Sequence, residues 1–229
     1  MPETRPLDPD AIDVWLFDLD NTLYPASCRL FDQVDVAMGR YIADMLSLEP
    51  QEARALQKQY FRDHGTTLRG LMDNHNIDPH DYLQAVHDID LSPVQPNPRL
   101  DAALARLPGR RLVFTNGSVP HAEGVLERLG ISHRFEAIFD IVASDFVPKP
   151  DRQPYDKLLA EHAIDPTRAF FAEDSARNLV PAHALGMTTL YVQHQADWNV
   201  DPHAEADYIH HRCEDLTDWL EAMLEGAAG

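Results

Sequence analysis

Residues 14–17, Val-Trp-Leu-Phe, form a wholly apolar run that stops dead at two acids, Asp18 and Asp20. A run without period-two alternation fits a strand covered on both faces, the usual situation in a parallel α/β sheet. Similar short runs, rich in β-branched and aromatic residues, occur at 112–114, 138–142, 169–172 and 189–192. Helical patterns at 122–129, 155–162 and 178–185 lie between the last four, with Gly130 and Gly186 placed as helix stops. This β-α-β-α series predicts right-handed crossovers and an α/β fold with a doubly wound parallel sheet.

The first run stands apart, because residues 18–111 separate it from the second, far more than one crossover helix needs. The intervening segment is helical. Over 30–46, Leu30, Phe31, Val34, Ala37, Met38, Tyr41, Ile42 and Met45 recur close to i, i+3, i+4, i+7. A second helix opens after Ser47, with Pro50 in its first turn beside Glu49 and Glu52. Further helical stretches lie near 68–75 and 80–88, and Pro93, Pro96 and Pro98 end the insertion. The expected division is an α/β core over 1–23 and 95–229 and a helical cap over 24–94, sitting above the carboxyl ends of the strands. A last helix is expected over 213–224.

Composition excludes several classes. A net charge of −19 repels the phosphates of a duplex, so nucleic acid is not an expected partner. It does not argue against a small anionic ligand held in a local pocket of cations, N–H groups or a metal. No apolar run approaches the ~18 to 20 residues needed to cross a bilayer, and the polar, Pro-bearing first ten residues do not read as a secretory signal. A cytoplasmic chain without a membrane partner, working as a monomer or homodimer, is therefore expected. Cys28 and Cys213 form no C-x-x-C spacing and read as reduced thiols. The twelve histidines are scattered without an H-x-x-x-H face, and most read as solvated surface residues.

Carboxylates do not end an apolar strand for the sake of packing. In an open α/β sheet, ligands bind beyond the carboxyl ends of the strands near the switch point, which makes Asp18 and Asp20 candidates for chemistry as well as for turn capping. Three later strand ends supply complementary parts. The second run leads into Thr115-Asn116-Gly117-Ser118, a hydroxyl and a turn of N–H groups suited to phosphate oxygens. The loop after the third carries Lys149 between Pro148 and Pro150. The fourth runs into Glu173-Asp174-Ser175, where Asp174 also suits a helix N-cap.

With these four motifs, Asp18 to Thr22, Thr115, Lys149 and Glu173-Asp174, the sequence resembles the haloacid dehalogenase-like superfamily of phosphohydrolases, and the match spans the whole core. The resemblance implies that Asp18 attacks phosphorus to form an aspartyl-phosphate, and that Asp20 protonates the leaving alcohol and then takes a proton from water. Crowding beside other carboxylates is expected to raise the pKa of Asp20 for the first task. Acids converging on one pocket call for a divalent cation, and hard oxygen ligands favour Mg²⁺. The implied ligands are the Asp18 and Asp174 carboxylates, the Asp20 backbone carbonyl, and Glu173 directly or through water. Lys149, Thr115, Asn116 and Gly117 would hold the phosphoryl group.

Asp20 disfavours dehalogenation, which needs no acid. The string F-D-L-D-N-T-L-Y-P, with Asn21 where glycine is more frequent, is similar to the pyrimidine 5′-nucleotidase branch, as is the segment Y-F-R-D-H-G-T-T-L-R-G-L-M at 60–72. That likeness implies hydrolysis of UMP, CMP and their deoxy forms, with Arg69, His64, His75 and Tyr24 as candidate substrate contacts from the cap. Alternatives are a phosphatase or phosphomutase acting on a sugar phosphate or another small phosphate ester such as phosphoglycolate, and a non-catalytic phosphate-binding regulator.

Overall fold

The computed structural model describes residues 7–194 and 206–226. Six parallel strands form one sheet among the described residues: β1 (Val14–Phe17), β2 (Arg110–Phe114), β3 (Ala137–Phe139), β4 (Ala169–Glu173), β5 (Thr188–Val192) and β6 (His211–Cys213), in the order β3-β2-β1-β4-β5-β6. The chain leaves β1 on one side for β2 and β3 and returns on the other for β4, so the switch point falls between β1 and β4. Phe17 pairs with Ala172 there, which sets Asp18 beside Glu173 at the top of the sheet.

Strand pleating sends alternate side chains to opposite faces, and both faces are covered. Trp15, Phe17, Val113, Phe170 and Leu190 pack with α5 (Pro98–Arg106), α6 (Val119–Leu129) and α9 (Leu216–Gly226). Val14, Leu16, Leu112, Phe114 and Phe171 pack with α7 (Arg152–Glu161) and α8 (Ala176–Ala184). Burial on both sides is why the strands read as unbroken apolar runs.

The long insertion folds as α1 (Leu30–Leu46), α2 (Pro50–His64), α3 (Thr67–His75) and α4 (Pro79–Val86). These helices share a third apolar cluster, including Val34, Ile42, Leu71 and Tyr82, which also takes in Ile141 after β3. Glu49 and Glu52 form a capping box that opens α2.

Two expectations need correction. The third strand ends at Phe139, not at 142, because the Asp140 carboxylate and carbonyl accept from Ala143 and Ser144 N–H and turn the chain. The last helix starts at Leu216; His211–Cys213 is an edge strand whose polar side chains concealed it. After the Pro-rich segment, Pro98 opens α5 behind an Asn97 N-cap. Cys28 and Cys213 are free thiols, and no helix among the described residues is long and apolar enough to cross a membrane.

Candidate active site

Every strand-end acid and base singled out above except Asp20 and Asp174 is almost fully buried, and all of them meet at the switch point. The Asp18 N–H still donates to Ala172 O at 2.9 Å, continuing the ladder, so its side chain projects from a rigid edge. The turn that follows puts Asn21 at φ 61°, a left-handed conformation that asparagine tolerates and that explains why glycine also suits this position. Thr22 Oγ1 donates back to Asp18 Oδ2 at 3.2 Å.

Lys149 Nζ donates to three acceptors: Asp18 Oδ1 at 2.8 Å, Glu173 Oε2 at 2.6 Å and Phe114 O at 2.8 Å. All three ammonium protons are thereby used. Its loop is pinned by Asn116, whose Oδ1 accepts from Lys149 N–H at 2.8 Å while Nδ2 donates to Lys149 O at 3.2 Å. Thr115 Oγ1 accepts from Gly117 N–H at 2.9 Å, which leaves its own proton to donate toward the cavity.

One lysine does not neutralise this cluster. Burial, then the Glu173 charge, push the Asp18 carboxyl up to about 7. Burial likewise pushes Glu173 up to about 7 against the pull of Lys149, and raises Asp174. Carboxyl oxygens of Asp18, Glu173 and Asp174 lie within 4.8 Å of one another. A hard, all-oxygen donor set carrying excess buried negative charge fits a divalent cation such as Mg²⁺.

Asp20 departs from expectation. Burial acts to raise its pKa, but the His121 charge and hydrogen bonds from His121 and Tyr24 hold the carboxyl below the ordinary carboxylate value. Tyr24, a candidate substrate contact, is buried with its hydroxyl 2.6 Å from Asp20 Oδ1. His121, read as a surface residue, is buried in the first turn of α6 with Nε2 2.8 Å from the same oxygen. His194 is only partly buried, but its Nε2 is 3.0 Å from Asp174 Oδ2. A histidine one turn into the helix that follows the Thr115 loop does carry a sequence signal, because helical side chains lean back toward the N-terminus and hence over that loop.

A cavity of ≈ 240 Å³ lies over Asp18 and Lys149, roofed by Lys58, Phe61, Gly65, Thr66, Thr67 and Leu68. It joins a wider groove of ≈ 1220 Å³ along Asn21, Phe31, Asp35, Lys58 and Phe61. The remaining cap candidates do not line the cavity. Arg69 Nε bonds Asp73 at 3.0 Å, His64 Nδ1 approaches the same carboxylate at 3.1 Å, and His75 Nε2 lies 2.7 Å from Tyr60 Oη. The start of α3 presents Thr66, Thr67 and Leu68 to the cavity, which turns Arg69 outward to Asp73 one helical turn on.

The family model described as haloacid dehalogenase-like hydrolase matches residues 12–186. The chain belongs to that family. It is 30% identical over 199 residues to Phosphate metabolism protein 8 of Saccharomyces cerevisiae, a match taking in 79% of this chain and 61% of that protein, so it spans less than two thirds of that relative. It is 26% identical over 228 residues to Glyceraldehyde 3-phosphate phosphatase of Methanopyrus kandleri, covering 92% of this chain and 96% of that one. The haloacid dehalogenase-like fold overlays CbbY from Rhodobacter sphaeroides, solved in complex with phosphate, with TM-score 0.64, 20% identity, and 93% and 99% of the two chains covered.

Proposed function

We propose that this hydrolase cleaves phosphate monoesters, with pyrimidine nucleoside 5′-monophosphates as its preferred substrates, in the cytoplasm. The observation that carries the reading is the buried Asp18–Lys149–Glu173 triad at the floor of a cavity. Phosphoryl transfer asks for an in-line nucleophile and neutralisation of the transferring oxygens, and little else. Asp18 Oδ2 is the nucleophile, while Lys149 holds Oδ1 and Thr115 with the N–H groups around Asn116 receives the phosphoryl oxygens. Asp18, Asp174, the Asp20 carbonyl and Glu173 would hold Mg²⁺, which when bound supplies positive charge to the phosphate oxygens.

Asp20 is the acid and then the base. It sits as a carboxylate in the arrangement described, and a phosphate dianion arriving beside it favours its protonated form. Residues 24–94 act as a cap whose opening admits substrate. The resemblance of residues 60–72 to the nucleotidase branch supports a nucleoside leaving group, for which the groove beyond the cavity has room. Contacts to base and ribose come from Phe31, Lys58, Phe61 and Thr66 rather than from Arg69, His64 or His75. A small sugar phosphate is the second reading, favoured by the end-to-end similarity to the archaeal glyceraldehyde 3-phosphate phosphatase. The test is Mg²⁺-dependent phosphate release across nucleoside monophosphates and sugar phosphates. UMP and CMP are expected to lead, whereas a sugar phosphate ahead by about tenfold or more in kcat/KM overturns the nucleotide assignment.

A further inference from the structure

The two oxygens of Asp20 are treated differently. Oδ1 receives both Tyr24 Oη at 2.6 Å and His121 Nε2 at 2.8 Å. Oδ2 has no hydrogen bond among the described residues and lies on the side of Gly117, where an added Cβ would stand 3.7 Å from it. The His121 side chain is fully buried, yet its Nδ1 has no partner among the described residues. A packing residue has no reason to bury an unpaired nitrogen, which costs free energy. The contact through Nε2 is the ring's one polar return.

The ring itself is held from behind. His87 stacks on His121 with centroids 4.4 Å apart and planes 11° from parallel, and His87 Nδ1 is 2.9 Å from Ser118 Oγ. His87 follows α4 in the helical insertion, whereas His121 belongs to α6 on the sheet. The placement of Asp20 is thus tied to how α4 sits on the core.

We infer that His121, backed by His87, is a positioning residue that keeps Asp20 with Oδ1 occupied and Oδ2 turned to the reacting oxygens. The inference rests on the reading of Asp20 as acid and base. In the first step the P–O(alkyl) bond breaks as the Asp18–phosphorus bond forms, and the proton on Oδ2 passes to the departing alkoxide. In the second, water attacks phosphorus, its proton passes to Oδ2, and the Asp18 oxygen departs as carboxylate. Both transfers need one carboxyl oxygen within hydrogen-bond reach and correctly aimed. Without His121 the carboxyl is free to rotate between orientations.

The test uses single-turnover kinetics of Mg²⁺-loaded wild type, H121A, H121Q, H87A and H87F on the best alkyl phosphate of the substrate panel and on p-nitrophenyl phosphate. Nitrophenolate leaves without a proton. H121A is expected to slow alkyl ester cleavage by about 30-fold or more while changing nitrophenolate release less than about threefold, with KM little altered. H121Q, whose amide can reach the Nε2 position, should recover most of the loss. H87A should show a weaker form of the same pattern, and H87F, which keeps the stack, should not. Equal losses on both esters, or H121Q no better than H121A, overturn the positioning role while leaving the phosphatase intact. If H121A does not fold, the Gln and His87 variants decide. A wild type that releases phosphate from no ester overturns the function and this inference together.

Discussion

Lys149 Nζ and Asp18 Oδ1 are separated by 131 positions in the chain and by 2.8 Å in space, with the lysine side chain almost wholly buried and the Asp18 side chain 9% exposed where it faces the cavity. Breaking such a pair from one side strands the other charge. K149M is therefore expected to lose at least ~10³-fold in kcat/KM. Its thermal midpoint without metal should also fall, and should recover more on adding Mg²⁺ than that of wild type. Equal metal responses in the two proteins would mean that Lys149 does not share the neutralisation of this cluster.

Replacing the nucleophile tests the chemistry itself. Asp18→Asn keeps the shape and still accepts a hydrogen bond from Lys149 through its amide oxygen, but it cannot form the aspartyl-phosphate. Phosphate release should drop to background, at least ~10⁴-fold below wild type, with the melting temperature changed by only a few degrees. Substantial residual turnover would move the nucleophile elsewhere.

Much of this site is legible in the sequence because each contributor ends an apolar run. Asp18, Thr115 and Glu173 follow residues that only a two-sided sheet would bury together, so their convergence comes from strand order alone. Asp140 has the same signature and a different outcome: its carboxylate caps the Val119 and Ala143 N–H groups, the ordinary role of a strand-end acid. Nothing local to the sequence separates the two cases. His87 and His194 were not legible as site residues, since their roles depend on which helix end crosses which strand end, and His121 carried only the signal of its place at the start of the helix after the Thr115 loop. β6 was hidden because an edge strand need not be apolar. Arg69 and His64 belong to a suggestive segment, but the rotation of α3 sends Arg69 to Asp73 and His75 to Tyr60, and His64, at the end of α2, meets the same Asp73.

Metal should stabilise the fold. If Asp18, Glu173 and Asp174 hold Mg²⁺ in the native state only, a concentration about 100-fold above Kd adds ~2.7 kcal/mol, equivalent to roughly 5–10 °C at this chain length. Differential scanning calorimetry with EDTA and with Mg²⁺ measures it. D174N should lose most of the increment; an unchanged increment would remove Asp174 from the ligand set.

Asp35 links α1 to α2 through Lys58 Nζ at 2.7 Å, Gln57 Nε2 at 2.8 Å and Arg54 Nη1 at 2.9 Å. Burial acts to raise its pKa, but the Lys58 and Arg54 contacts win and hold it below the usual value of 3.8. A depressed native pKa means stability that is fully present above the unfolded value and is lost as pH falls through the native one. D35N should therefore cost about 1 kcal/mol at pH 6 and less at pH 3, read as converging urea midpoints. A constant difference across that range would show that the Asp35 charge is not what matters.

Gly70 sets opposing effects against each other. It lies inside α3, where alanine is intrinsically better by ~1 kcal/mol. A Cβ there would stand 2.4 Å from Tyr60 Cβ and 2.5 Å from Tyr60 Cγ on α2, closer than atoms tolerate and too near the backbone for the ring to swing away. Tyr60 is further fixed by its 2.7 Å contact to His75. Overpacking costs about 1–3 kcal/mol, and a clash this close belongs at the upper end of that range, so it should outweigh the propensity gain and leave G70A destabilised by up to ~2 kcal/mol, a melting temperature lower by up to roughly 8 °C. Because α3 carries Thr66, Thr67 and Leu68 over Asp18, the displaced helix should also raise KM more than it lowers kcat. A G70A protein as stable as wild type would require α2 and α3 to separate freely, and the roof of the cavity would then be looser than this packing allows.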